Sequence, residues 1–138
     1  PLVYCPDEHS FYRDSFIAKV DIELIVNKIS FIVSDGIIVD VGGFCGIDKS
    51  MEANLQIPEF AKGVLRVEHD LKYGFAYSIH DDFDYEYPVY IDIQTGWVCV
   101  GNHEKKGSAV EFINNCVAMI DNNNKFVSLW LKPQLLPR

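Results

Sequence analysis

"SAVEFINNCVAMIDNNNKFVSLWL", residues 108–131, is the stretch on which the fold turns. It supports two readings. As a helix, Ser108 and Glu111 stand at capping-box spacing, and Ala109, Phe112, Ile113, Cys116, Val117 and Ile120 fall on one helical stripe. As strands, "CVAMID" and "KFVSLWL" flank an Asn-rich turn at Asn122–Asn124, and Val117, Phe126 and Val127 prefer a pleated, half-buried surface. Asn114 and Asn115 suit a bulge better than the middle of a helix. Strand is the favoured reading, with helix the alternative for 108–121, and strand makes the domain mainly β.

Working outward, the pattern repeats. "YPVYIDIQTGWVCVG" (87–101) reads as a hairpin around Thr95-Gly96, with Val89, Ile91 and Ile93 inward and Tyr90 and Asp92 outward. "GVLRVEHDLKYGFAYSIH" (63–80) looks like another hairpin, and "ISFIVSDGIIVDV" (29–41) a third, turning at Asp35-Gly36. "FIAKVDIELIV" (16–26) alternates Val20, Ile22, Leu24 and Val26 against Asp21 and Glu23. The glycines of "GGFCG" (42–46) break the strand that precedes them. "DKSMEANLQIPEFAK" (48–62) is the least β-like segment; Asp48 or Ser50 would cap a short helix ending before Pro58. Residues 1–15 form an irregular lead-in and "KPQLLPR" a tail. The expected fold is α+β, mainly β: a single domain, 1–138, built as an antiparallel meander of about eight strands with one or two short helices.

A chain of 138 residues is long enough to bury a core without metal or disulfide. No run of about 18 apolar residues offers a transmembrane helix, and no basic segment followed by an apolar one marks a leader. Cys5, Cys45, Cys99 and Cys116 are too far apart in sequence for a zinc knuckle or a Cys-x-x-Cys pair. Three of them lie in apolar runs. Four reduced thiols and a cytoplasmic location are the expectation.

Catalytic signatures are missing from the sequence. His9, His69, His80 and His103 form no metal-ligand spacing. "HDDFD" (80–84) offers His80, Asp82 and Asp84 as oxygen and nitrogen ligands but lacks the glycine and distal Glu of a calcium loop, so no metal is expected. Cys45, beside glycines, is the one candidate nucleophile, with a packed thiol the favoured reading. There is no G-x-S-x-G and no phosphate-binding glycine loop. The sequence therefore points away from an enzyme and from a cofactor.

Charge is the informative feature. The net charge is −8, and residues 67–92 hold seven carboxylates against Lys72 alone. Within "SIHDDFDYEYPVY" (78–90), Asp81, Asp82, Asp84 and Glu86 alternate with Phe83, Tyr85 and Tyr87. Such a stretch repels nucleic acid and steers basic partners. Tyr rings add rigid, amphipathic contact area. A charge run is commonly only a solvated, solubilising loop. The sharper reading makes Asp81, Asp82, Asp84, Tyr85, Glu86 and Tyr87 a surface offered to a cationic protein.

"IDIQTGWVCVG" (91–101) followed by "AVEFINNCVAMIDNNNKFVSLWLKP" (109–133) resembles the small acidic immunity proteins encoded beside bacterial toxins, nearest in style to those of contact-dependent growth inhibition and related polymorphic toxin systems. The resemblance covers the C-terminal third and carries no residue-by-residue motif. It implies a non-enzymatic inhibitor that binds a sibling toxin domain and blocks its active site or substrate access, with a nuclease suiting the acidic surface. The alternatives are a small β-domain that binds a metabolite or serves as an accessory module, and an enzyme using Cys45 or His80.

Overall fold

The computed structural model describes residues 2–7, 10–13, 22–44, 47–67, 75–80, 82 and 84–134. In chain order its strands are β1 (Leu2–Cys5), β2 (Ser10–Arg13), β3 (Ile22–Val26), β4 (Lys28–Ser34), β5 (Ile37–Phe44), β6 (Met51–Glu52), β7 (Ala61–Lys62), β8 (Phe75–Ser78), β9 (Val89–Asp92), β10 (Trp97–Gly101), β11 (Ser108–Ile113), β12 (Cys116–Ile120) and β13 (Phe126–Leu131). They form a six-stranded sheet, β1-β2-β5-β4-β3-β8, and a seven-stranded sheet, β6-β9-β10-β13-β12-β11-β7. The fold is mainly β, as the sequence indicates.

It is not, however, an antiparallel meander of eight strands. Both sheets are mixed: β8 runs parallel to β3, β6 parallel to β9, and β7 parallel to β11. The expected short helices are also replaced; among the described residues the only helical element is a 3-10 turn at Ile47–Lys49. The short helix expected from Asp48 or Ser50 to before Pro58 does not form; residues 51–62 are an extended strap whose ends pair as β6 and β7 at opposite edges of one sheet.

The contested stretch is strand throughout. β11 and β12 turn at Asn115, which takes a left-handed φ of 63°. β12 and β13 turn at Asn122–Asn124, with Asn124 at φ 60°. Asn tolerates this region because its short side chain hydrogen-bonds locally. The turns at Asp35-Gly36 and Thr95-Gly96 also form as the sequence indicates, with Gly36 at φ 75° and Gly96 at 82°. The hairpin expected over 63–80 does not. Residues 65–67 lie beside the start of β5, with Ile38 N–H donating to Leu65 O and Val67 N–H to Gly36 O, while β8 joins β3 on the far side of the sheet. "GGFCG" does not end β5 where the glycines begin. β5 continues through Gly42 and Gly43 to Phe44, and Gly43 (φ 111°) packs so closely that an added Cβ would lie 2.6 Å from Lys28 O. Residues 16–21, 68–74 and 135–138, parts of the expected first strand, hairpin and tail, lie outside the described residues.

One core fills the space between the sheets. Leu2, Tyr4, Val26, Ile29, Phe31, Val33 and Val41 of the first sheet meet Val98, Val100, Cys116, Leu129 and Leu131 of the second. A second, smaller cluster lies on the opposite face of the seven-stranded sheet: Trp97, Cys99, Val117 and Trp130 under Leu55 of the strap. This explains why β10, β12 and β13 read as continuous apolar runs rather than alternating ones; both of their faces are covered.

The strap's length fits its path. From β6 to β7 is a crossing of the whole seven-stranded sheet, about 29 Å at the usual strand spacing. Residues 52–61 span about 30 Å when nearly extended. There is no slack for a helix, and Pro58 is at home in extended chain. The strap is held by Asp92. Its Oδ2 accepts from Leu55 N–H at 3.0 Å, and its Oδ1 from Gln94 and Thr95 N–H at 3.0 and 3.2 Å. The bond from Leu55 leads in holding this carboxyl below the usual carboxylate range, against the opposing effect of burial. Asp92, expected outward, is thus buried, and Ile93, expected inward, sits in the turn at 38% exposure.

Candidate functional site

The acidic stretch forms the connection from β8 to β9, and so bridges the two sheets. Asp82, Asp84, Tyr85 and Glu86 are exposed, while His80 and Tyr87 are half-buried. Asp81 and Phe83 lie outside the described residues.

The loop folds on its own side chains. His80 Nδ1 accepts from Asp82 N–H at 2.9 Å, Asp82 Oδ1 accepts from Asp84 N–H at 3.0 Å, and Asp82 C=O accepts from Tyr85 N–H at 3.1 Å. These are turn-forming bonds of the kind Asp favours. They engage His80 Nδ1 and Asp82 Oδ1, two of the atoms that a metal at His80, Asp82 and Asp84 could use. Among the described residues no cluster of His, Cys, Asp and Glu is arranged to hold a metal ion.

Rings stack along the loop. His80 lies flat on Tyr85, with centroids 4.0 Å apart and planes 13° from parallel. Tyr87 meets both edge-on, at 4.9 Å from Tyr85 and 5.7 Å from His80, and packs edge-on against Phe126 of β13 at 5.3 Å. Edge-to-face and offset pairs of this sort each add about 0.5–1.5 kcal/mol beyond burial. Tyr87 therefore anchors the loop to the seven-stranded sheet.

Asn27 anchors it to the other sheet. Its Nδ2 donates to Tyr87 O at 3.0 Å, and its Oδ1 accepts from Tyr87 N–H at 2.7 Å, so one side chain pairs with both backbone groups of Tyr87. Asn27 is held in the left-handed region, φ 54°, at the tight turn between β3 and β4. Sequence reasoning missed this residue. The signal was an Asn between two β-rich runs, but nothing local tells that its partner lies sixty residues away.

A cleft of ≈ 420 Å³ opens beside the loop, between Tyr85 and Tyr87 on one wall and Asn102, His103 and Glu104 of the β10–β11 connection on the other. Tyr90 forms part of its lining and meets His103 edge-on at 4.4 Å. Asn102 Oδ1 accepts from Glu104 and Lys105 N–H, which shapes that wall. None of Asp82, Asp84 and Glu86 joins an ion pair among the described residues, whereas Lys105 nearby pairs with Asp121. The loop's negative charge is thus left to solvent or a partner.

The enzymatic candidates fare differently. Cys45, His9 and His69 lie outside the described residues. Cys5, Cys99 and Cys116 are thiols rather than disulfides. Burial pushes the Cys99 thiol up to about 12, partly offset by Ser128, so it stays a protonated thiol at neutral pH. Ser128 in turn accepts from Trp130 Nε1–H at 2.9 Å. Trp97 and Trp130 are core residues under the strap.

No protein-family model matches the chain, and no curated protein matches it. Among the described residues no helix is long and apolar enough to cross a membrane.

Proposed function

We propose that the chain is a non-enzymatic immunity protein of the bacterial cytoplasm, which binds a cognate toxin domain and neutralises it through the acidic, Tyr-rich loop. The observation that carries this reading is the way the loop is built. Among the described residues its carboxylates Asp82, Asp84 and Glu86 are exposed and join no ion pair, while its rings are locked in a stack clamped to both sheets through Tyr87. A loop that merely solubilises has no need of such fixing. A preformed surface loses little conformational entropy on binding, and that is the usual route to tight association.

The division of labour follows. Asp82, Asp84 and Glu86, with Asp81, set up a field that draws in a basic partner. Tyr85, 42% exposed and backed by His80, offers the ring that a partner side chain covers. Glu104 across the cleft supplies a further acceptor. A toxin that acts on nucleic acid carries a basic substrate groove, and an acidic body seated there excludes the phosphate backbone.

The reading is tested by co-expressing the chain with the product of its upstream neighbouring gene. Elution as one complex, together with loss of the neighbour's toxicity, is the expected result; separate elution and unrelieved toxicity overturn it. A second reading, a metabolite-binding module, draws on the cleft between Tyr85 and His103. It requires a small molecule to protect the cleft residues in the absence of any protein partner.

A further inference from the structure

Sheet edges are where an extended chain can add, so each edge here repays inspection. The outer edge of β1 is covered by the tail: Tyr4 N–H donates to Gln134 O at 2.9 Å, and Gln134 N–H to Leu2 O at 3.0 Å. The edges of the other sheet are β6 and β7, each of two residues. β8, with four residues, is the remaining edge, and no described segment pairs with its outer side.

Ile79 N–H donates to Ile25 O at 2.9 Å, toward β3. Donors in a parallel ladder alternate, so the N–H and C=O of Ala76 and Ser78 face away from the sheet. The side chains alternate as well. Phe75 and Tyr77 stand opposite Ile22 and Leu24, on the core side. Tyr77 packs against the core, yet Phe75 is 58% exposed, the most exposed large apolar side chain described. An apolar ring on the core side of an edge that no described segment covers is what a further strand would cover.

Resting on the reading of the acidic loop as an interface, we infer that β8 receives an extended, basic segment of the partner as an added strand. Its apolar side chains cover Phe75, and its basic residues continue past Ser78 alongside Asp82, Asp84 and Glu86. Main-chain hydrogen bonds give such an addition its affinity, and the side-chain pattern its specificity. Charge selects the occupant. β8 leads directly into the acidic loop, and residues 67–92 carry seven carboxylates against one lysine. A second copy of the chain would bring like charge to like charge, and a basic strand the opposite.

The test uses a capped peptide of about eight residues alternating Val with Lys, and its twin alternating Val with Glu, with amide exchange as readout. At saturating Lys–Val peptide, exchange at the Ala76 and Ser78 amides slows by about fivefold or more, while the Glu–Val twin has no effect. Ala76→Pro removes an outward donor and abolishes the protection. Should that variant unfold, Phe75→Ala keeps every backbone group and weakens peptide binding several-fold. Failure of Lys–Val peptide to protect these amides, equal protection by the Glu–Val twin, or a concentration-dependent dimer that protects the same amides overturns the inference. Repeating the exchange with the neighbouring gene's product separates the two proposals. If that product binds and these amides exchange as before, strand addition is wrong and the toxin reading stands. If it does not bind while the Lys–Val peptide protects, the toxin reading falls and the basic-strand site stands.

Discussion

Single residues fix the backbone where the chain has least freedom. At Gly43 the φ of 111° and the 2.6 Å approach to Lys28 O leave no room for a side chain. Gly43→Ala is expected to cost about 1–3 kcal/mol, read as a lower midpoint in chemical denaturation. Asn27 is a second such point. Asn27→Ala removes both bonds to Tyr87 and should cost about 1–3 kcal/mol in stability. The pair Tyr85 and Tyr87 then separates by role. Tyr87→Ala is expected to lower the melting temperature markedly, because Tyr87 packs on the core, and Tyr85→Ala to lower it less, through lost ring pairs alone, while speeding dissociation of the partner. Equal effects of the two substitutions on melting would contradict this. Cys99 gives a pH signature. Its thiol is neutral in the folded state up to about 12, whereas the unfolded thiol ionises near 9.0. The folded state therefore binds the extra proton between those values, so this group's contribution to stability is intact below pH 9 and is lost as pH rises toward 12. Cys99→Ala should flatten that part of the alkaline stability curve.

At the scale of elements, the strap is the feature that makes the seven-stranded sheet a covered layer. Leu55→Ala opens a void over Trp97, Cys99, Val117 and Trp130 and should cost about 2–5 kcal/mol, with amides of β10 and β12 losing exchange protection. An unchanged denaturation midpoint would show that the strap is not part of the cooperative core. The strap also shows why some of the fold was legible and some was not. Hairpins at Asp35-Gly36, Thr95-Gly96 and Asn122–Asn124 carry their instructions locally, in turn residues able to adopt φ > 0 between apolar runs. The parallel pairs β3–β8, β6–β9 and β7–β11 carry none, because their partners are far apart in sequence and two of them are only two residues long. "NLQIPEFAK" looks non-β by composition and is extended only because its two ends are pinned across a sheet. The composition of the acidic stretch was plain in the sequence, and its anchoring was not. Asn27 and Phe126 reach it from other strands.

For the molecule as a whole, two mixed sheets enclose one core, with negative charge gathered on a connection that runs between them. The claim that matters is that this charge and these rings meet a basic partner. Individual exposed pairs contribute only about 0–1 kcal/mol. Four carboxylates acting together govern the encounter rate, and that effect is screened once the Debye length falls below about 10 Å. The most direct measurement is therefore the binding kinetics of the Asp81→Lys, Asp82→Lys, Asp84→Lys, Glu86→Lys variant against the neighbouring gene's product, across a range of salt. The expected result is a folded variant whose association at low salt is slower by about tenfold or more, with the difference shrinking as salt rises. A folded variant that associates as fast and holds as tightly as the parent at every salt concentration would contradict the account.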